Sequence, residues 1–204
     1  MLASRHKSAI NRLIHPIALL LGRTGISPSA LTLSGAVLTA AVCLWFIRTR
    51  RVVPFTIAVT LTGFFDGLDG PVARATGRVT KFGAYLDAVC DRYVESITVL
   101  SVAVVTGYWV LSAIVLAGSL LVSYTKARAA MEVPVTNLEW PDLTERTERD
   151  ILFLIGLAAS DIVTWRPFGR DLFWWTLVLL AVLVHLTVLQ RMLRARRLIR
   201  SRTS

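Results

Sequence analysis

The feature that most restricts the fold of this chain is a series of long apolar runs separated by short polar segments. A run of about 20 apolar residues is long enough to cross the hydrocarbon core of a bilayer as an α-helix. Inside a bilayer only helices and closed barrels satisfy their backbone hydrogen bonds. Because 54% of the residues are hydrophobic and only 18% are charged, we predict an all-α integral membrane protein.

The apolar runs predict six transmembrane helices in a single domain that covers residues 1–204. The predicted spans cover about residues 29–48, 52–75, 83–106, 109–130, 150–165 and 171–191. Before them, basic and apolar residues mix over about residues 5–22, which predicts an amphipathic helix lying on the membrane interface. The domain therefore consists of this juxtamembrane helix, a six-helix bundle over about 29–191 and a basic cytoplasmic tail over 192–204.

The positions of the basic residues predict the orientation. The net charge is +10, but Lys and Arg cluster at the ends of the apolar runs and in the tail. This pattern indicates contact with anionic lipid headgroups rather than with nucleic acid. With both termini inside, 17 Lys or Arg lie on that side and five lie outside, with Arg92 in the third span uncounted. We therefore expect a multi-pass protein of the cell membrane with cytoplasmic termini.

Four aspartates, Asp66, Asp69, Asp87 and Asp91, lie at the predicted cytoplasmic ends of the second and third spans. Acids beside hydrocarbon are costly, which makes them functional candidates. Spacings of three and four residues place each pair on one helix face, and four converging carboxylates repel unless cations neutralise them. All-oxygen ligation suits hard ions such as Mg²⁺, Mn²⁺ or Ca²⁺. The spacing therefore predicts a pair of divalent ions about 3.5–4 Å apart, an arrangement used in phosphoryl transfer.

Glycines and phosphate-binding residue types accompany the acids. Gly67, Gly70 and Gly83 interrupt helical sequence where glycine costs roughly 0.5–1 kcal/mol relative to alanine, which is reasonable where a ligand must approach the backbone. Arg74 and Thr80 are placed to contact a phosphate. The alternative interpretation is structural: the aspartates would pair with nearby Arg and Lys, and the glycines would allow close helix packing.

The same residues carry a resemblance to a known family. The pattern Asp-x2-Asp-Gly-x2-Ala-Arg-x8-Gly-x3-Asp-x3-Asp is filled here by Asp66, Asp69, Gly70, Ala73, Arg74, Gly83, Asp87 and Asp91. In this pattern the chain resembles the class I CDP-alcohol phosphotransferases. The resemblance implies a six-span homodimer that transfers a phosphatidyl group from CDP-diacylglycerol to an alcohol and releases CMP.

The resemblance also implies a role for each residue of the pattern. Asp66, Asp69, Asp87 and Asp91 would hold two divalent cations, Mg²⁺ or Mn²⁺. Asp91 would in addition be the general base that takes the proton of the acceptor hydroxyl. The residues implied to contact the CDP-lipid are Asp66, Asp69, Gly70, Ala73, Arg74, Thr80 and Gly83.

A second set of residues resembles the phosphatidylinositol-phosphate synthase subfamily. The matching stretches are residues 123–129, 145–149 and 190–191. In that subfamily the residues that match Lys126, Arg149 and Arg191 bind the phosphate of inositol phosphate. All three lie near predicted cytoplasmic helix ends, at the level of the aspartates, and a phosphorylated acceptor needs cations that the metal site does not supply. The alternative for each is an anchor to the lipid headgroups.

Departures from the subfamily pattern keep other acceptors in consideration. Thr147 stands in place of a proline, Ser29 stands where many members have Asn or Asp, and residues 133–143 are not matched to the subfamily pattern. The main alternative is therefore the same reaction with another acceptor, such as glycerol 3-phosphate. A cation or proton transporter is a remote alternative, because a transport path would place acids or broken helices near the bilayer midplane.

Overall fold

The structure is a computed structural model that describes residues 16, 19–21, 25–134 and 143–203. This part of the chain is helical and contains no strand, which confirms the all-α prediction. The elements are α1 (Pro28–Thr49), α2 (Val52–Asp66), α3 (Asp69–Ala75), α4 (Lys81–Thr106), α5 (Trp109–Glu132), α6 (Arg146–Ile162), the 3₁₀ turn η1 (Pro167–Gly169) and α7 (Leu172–Thr203). Of the interfacial helix predicted over 5–22, only residue 16 and residues 19–21 are described, and they are helical; the rest lies outside the described residues.

Four helical segments among the described residues are long and apolar enough to cross a bilayer. They are Pro28–Thr49, Val52–Ala75, Trp109–Glu132 and Leu172–Arg202. α4 has 26 residues but carries several charges in its first half, and α6 has only 17 residues. The prediction that these two helices also span the membrane stays a prediction.

The predicted second span is interrupted between Asp66 and Asp69. Pro71 has no N–H to donate to the carbonyl of Gly67 four residues earlier, and its ring would clash with that carbonyl. α2 therefore ends at Asp66, where the N–H of Gly67 donates to the carbonyl of Gly63 at 3.1 Å. α3 begins at Asp69. The two acids flank a break in the helix instead of sharing one continuous face.

Two other helix boundaries differ from the prediction for local reasons. α6 begins at Arg146 rather than near residue 150, because Glu145 and Glu148 form a capping box: each side chain accepts the backbone N–H of the other residue. α7 continues through the predicted tail to Thr203. Arginine favours helix, and positive charge near a helix C-terminus is stabilised by the helix dipole.

The described contacts divide the chain into two compact units, Met1–Ser101 and Val102–Ser204. In the first unit α1 packs against α2 and α3. The rings of Phe46 and Phe55 stack with their centroids 3.9 Å apart, and Leu31 of α1 packs with Val72 of α3. These contacts hold the amino-terminal end of α1 against the short helix that carries Asp69.

In the second unit α7 packs against α5 and α6. Two glycines permit close approach: a Cβ on Gly118 would lie 2.3 Å from Val184, and one on Gly156 would lie 2.3 Å from Thr176. Backbones at such positions approach closely, as is usual for helices that pack within a membrane. The prediction of a single domain over 1–204 stays a prediction.

Candidate functional site

A cavity of about 270 Å³ opens in the first unit, lined by residues of α1, α3, the α3–α4 loop and the start of α4. Seven of the predicted site residues line it: Asp69, Gly70, Ala73, Arg74, Thr80, Gly83 and Asp87. The structure therefore brings together most of the residues that the sequence pattern selected. Thr32 and Ser29 of α1 and Arg78 of the loop also line the cavity, although the sequence pattern gave them no role in it.

The carboxylate of Asp69 is held on both oxygens. Its Oδ2 accepts a hydrogen bond from the hydroxyl of Thr32 at 2.5 Å, and its Oδ1 accepts the N–H of Gly70 at 2.5 Å. The Thr32 hydroxyl also lies 3.1 Å from the carbonyl of Pro28, but its single proton favours the charged acceptor at the shorter distance. Thr32 thus fixes the direction of a predicted metal ligand.

Two glycines line the cavity at points where side chains would crowd it. A Cβ on Gly83 would lie 3.0 Å from the Thr80 hydroxyl, and one on Gly70 would lie 3.3 Å from Nη1 of Arg74. The Thr80 hydroxyl accepts the N–H of Gly83 at 2.9 Å, which caps the first turn of α4. The absence of side chains at these two positions gives a ligand direct access to the backbone.

Asp66 and Asp91 do not line this cavity. Asp66 lies against α1, where a Cβ on Gly35 would be 2.9 Å from its Oδ1. Oδ2 of Asp91 lies 3.9 Å from Nη2 of Arg92, whose Nη1 is 3.5 Å from Oε2 of Glu95. Asp91, Arg92 and Glu95 thus alternate in charge along α4.

The four carboxylates have the chemistry of a divalent-cation site, although they are not gathered into one ligand cluster. All four lie in the first unit, and two of them, Asp69 and Asp87, line the same cavity. Over residues 25–134 and 143–203, no three His, Cys, Asp or Glu side chains come close enough together to hold an ion. The donor set suits a hard ion such as Mg²⁺ or Mn²⁺, and ion binding would require the carboxylates to draw closer together.

The second set of predicted residues lies in the second unit. Arg149 and Arg191 are each only 6% exposed, and burying a cation is costly unless hydrogen bonds and anions compensate it. Nη1 of Arg149 donates to the carbonyl of Thr144 at 3.0 Å. Nη1 of Arg191 donates to the carbonyl of Val122, one helical turn before Lys126 on α5. Arg191 thus contacts α5 one helical turn away from Lys126.

A family model described as CDP-alcohol phosphatidyltransferase matches residues 25–182 of this chain. The phosphatidylinositol phosphate synthase of Corynebacterium glutamicum is 33% identical over 207 residues, which covers 96% of this chain and 89% of that protein. The archaetidylinositol phosphate synthase of Pyrococcus horikoshii is 30% identical and covers 81% of this chain and 92% of that protein.

Solved structures of the Mycobacterium tuberculosis phosphatidylinositol phosphate synthase are similar to this chain at 30% identity. The structure with CDP-DAG bound has a TM-score of 0.78 and covers 90% of this chain and 94% of that chain. The structure in complex with manganese and citrate has a TM-score of 0.77 and covers 89% of this chain and 88% of that chain.

Proposed function

The chain belongs to the CDP-alcohol phosphatidyltransferase family, and from this premise we propose that it transfers the phosphatidyl group of CDP-diacylglycerol to inositol phosphate and releases CMP. The predicted enzyme class agrees with the family model and with the named relatives. The observation that carries the proposal is the cavity of the first unit, in which seven residues of the predicted site meet.

The cavity supports CDP-diacylglycerol as the donor. Gly70 and Gly83 leave room for a phosphate beside the backbone. Arg74 adds a guanidinium to the same cavity, which suits a pyrophosphate oxygen. Asp69 and Asp87 line the cavity as well, so a nucleotide bound there would have its phosphates beside these carboxylates. The related structure with CDP-DAG bound supports the same donor.

Divalent metal use is expected from the family and from the relative solved with manganese. We assign Asp66, Asp69, Asp87 and Asp91 as the residues that would hold two ions, Mg²⁺ or Mn²⁺. When bound, such ions neutralise charge on a transferring phosphoryl group and on the departing CMP. Thr32 would keep the Asp69 carboxylate in a fixed direction.

The reaction forms a bond between the acceptor oxygen and the lipid-linked phosphorus and breaks the bond between that phosphorus and CMP. Asp91 takes the proton of the acceptor hydroxyl as the oxygen attacks. Arg92, 3.9 Å from Asp91 and 3.5 Å from Glu95, supplies positive charge beside this carboxylate.

Inositol phosphate is the acceptor that the relatives have in common. The names of the bacterial and archaeal relatives differ in the lipid part and share the inositol phosphate part. A phosphate dianion matches Arg149 and Arg191, two buried guanidinium groups, and Lys126 adds a third positive charge. Glycerol 3-phosphate carries the same phosphate chemistry and remains the alternative acceptor.

The protein is a membrane protein, given its apolar helices and its family. We further propose that α4 and α6 cross the bilayer together with the four longer apolar segments, and that residues 5–22 lie on the interface. The basic residues support an enzyme of the cell membrane with both termini and the site in the cytoplasm. The family resemblance supports a homodimer.

The test is an assay of CMP release by the purified protein with CDP-diacylglycerol and Mg²⁺ or Mn²⁺. Inositol phosphate, glycerol 3-phosphate, inositol and serine are supplied in parallel, and we expect release with inositol phosphate. Absence of CMP with every acceptor would contradict the enzyme assignment. Release with glycerol 3-phosphate and none with inositol phosphate would reject the acceptor while leaving the reaction in place. Loss of activity with EDTA and recovery with added ion would support the metal assignment.

A further inference from the structure

The segment that leads into α6 is attached to one face of α7. The N–H of Leu143 donates to Oε1 of Gln190 at 2.9 Å, and the hydroxyl groups of Thr144 and Thr187 lie 3.1 Å apart. Thr187 and Gln190 are three residues apart and so lie on the same face of α7. Two consecutive residues of the segment, Leu143 and Thr144, are therefore held by two residues on one face of α7.

The direction of the threonine hydrogen bond follows from proton counting. The Thr187 hydroxyl donates its single proton to the carbonyl of Leu183 at 2.8 Å. It can therefore only accept from Thr144. Thr187 itself is fully buried. The helix thus presents a fixed acceptor to Thr144, just as Gln190 presents one to Leu143.

Thr144 in turn orients Arg149. Its carbonyl accepts Nη1 of Arg149 at 3.0 Å, so the guanidinium is folded back from the first turns of α6 toward the segment. A guanidinium has five N–H donors in a rigid plane, and fixing one of them restricts the direction of the others. Arg191 directly follows Gln190 on α7, and this second buried guanidinium is tied to α5 through Val122.

We propose that Thr187 and Gln190 are positioning residues for the acceptor phosphate, acting on Arg149 through the backbone of residues 143–144. The inference rests on the proposed function, in which Arg149 and Arg191 bind the phosphate of inositol phosphate. It goes beyond that function by assigning the orientation of this cationic pair to two uncharged side chains of α7.

The first experiment compares three single substitutions in α7. Thr187→Val keeps the shape and removes the acceptor, Thr187→Ser keeps the acceptor, and Thr176→Val is the matched control. Thr176 is also a threonine of α7 whose hydroxyl donates to a carbonyl four residues earlier, that of Leu172. The Michaelis constants for inositol phosphate and for CDP-diacylglycerol are measured for each protein, together with the melting temperature.

We expect Thr187→Val to raise the Michaelis constant for inositol phosphate about 3- to 10-fold, as for the loss of one hydrogen bond. The constant for CDP-diacylglycerol should stay within about twofold, and Thr187→Ser and Thr176→Val should both resemble the unchanged protein. An unchanged constant for inositol phosphate, or an equal rise in both constants, would overturn the inference.

A second experiment measures the attachment of the segment without any substrate. Hydrogen–deuterium exchange of residues 143–145 is followed in the unchanged protein, in Thr187→Val and in Gln190→Met, which removes the amide acceptor at similar length. We expect faster exchange there in both variants and no change in Thr176→Val. Equal exchange rates in the variants and in the unchanged protein would overturn the positioning role.

If the unchanged protein releases CMP only with an acceptor other than inositol phosphate, the proposed acceptor fails. The exchange result still decides whether α7 holds the segment.

Discussion

Thr32 shows how a single buried hydroxyl can fix a reactive side chain. It is 2% exposed and donates to Asp69 at 2.5 Å. Hydrogen bonds to charged groups contribute about 1.5–3 kcal/mol. The bond therefore restricts the Asp69 carboxylate in the cavity of the first unit far more than a bond to water would.

Replacing Thr32 with valine should lower kcat/KM for CDP-diacylglycerol about 10-fold, because Asp69 loses a donor worth roughly 1.5 kcal/mol or more. Thr39→Val is the matched control. Thr39 is equally buried in α1, at 2% exposure, and its hydroxyl donates to the carbonyl of Gly35. The effects of Thr32→Val and Thr39→Val on kcat/KM are compared in the CMP-release assay. Equal effects of both substitutions would show that Thr32 acts only through packing.

Asp91→Asn should abolish turnover while leaving the CDP-lipid bound, because asparagine keeps the shape of the side chain but cannot take a proton. Turnover is measured by CMP release, and binding by the rise in melting temperature that CDP-diacylglycerol produces. Turnover comparable to that of the unchanged protein would remove Asp91 from the role of base.

Tyr108 provides a pH prediction outside the membrane spans. Burial, together with the hydrogen bond that its hydroxyl donates to Asp171 at 2.6 Å, raises the pKa of Tyr108 to about 12. Because the folded protein favours the neutral phenol, this stabilising contribution is fully present below pH 10 and is lost as the pH rises toward about 12.

The titration of Tyr108 is isolated as the difference between the ultraviolet titrations of the unchanged protein and of Tyr108→Phe. Asp171→Asn should lower the pKa of Tyr108 toward its ordinary value, and an unshifted titration would contradict the assigned partner.

At the level of helices, the break between α2 and α3 determines the directions in which the side chains of Asp66 and Asp69 point. Pro71 prevents the hydrogen bond that would join the two helices through the carbonyl of Gly67. The break therefore decides how Asp66 and Asp69 are directed: one lies against Gly35 of α1, and the other lines the cavity.

Pro71→Ala should restore that hydrogen bond and join α2 to α3, which would turn Asp69 away from its partner Thr32. We expect activity to fall at least about 10-fold with no loss of melting temperature, since alanine is about 3 kcal/mol more favourable than proline inside a helix. Pro54→Ala is the control, because Pro54 lies in the first turn of α2, where its missing N–H costs nothing. Full activity in Pro71→Ala would show that the break does not matter for the site.

The sequence predicted the helices and most of the cavity, but not their detailed contacts. Fixed spacings along one segment selected Asp69, Arg74 and Gly83, because residues within a short helix, the loop after it and the first turn of the next helix stay close in any fold. Thr32 could not be found in this way, since its contact with Asp69 depends on the packing of α1 against α3 across 37 positions. The same limit applies to Thr187, whose partner Thr144 is 43 positions away.

For the molecule as a whole, the orientation in the membrane is open to a direct experiment. Phe168, in the turn before α7, is 93% exposed, and Ser201, near the other end of α7, is also exposed. With cytoplasmic termini, a cysteine at position 168 should react with a membrane-impermeant maleimide in intact cells. A cysteine at position 201 should react only after permeabilisation. The two native cysteines, Cys43 and Cys90, are buried, and labelling of the unchanged protein measures their background reaction. The reverse labelling pattern would invert the proposed topology.

The length of α7 has a practical consequence. Its 32 residues extend about 48 Å at 1.5 Å per residue, whereas the hydrocarbon core is about 30 Å thick. About 18 Å of uninterrupted helix therefore extends beyond the hydrocarbon core. A small helical protein fused in register after Thr203 would continue this rod at a fixed distance and rotation. For a protein of only 22.5 kDa, such a fusion would supply the rigid mass outside the micelle that particle alignment in electron cryomicroscopy needs.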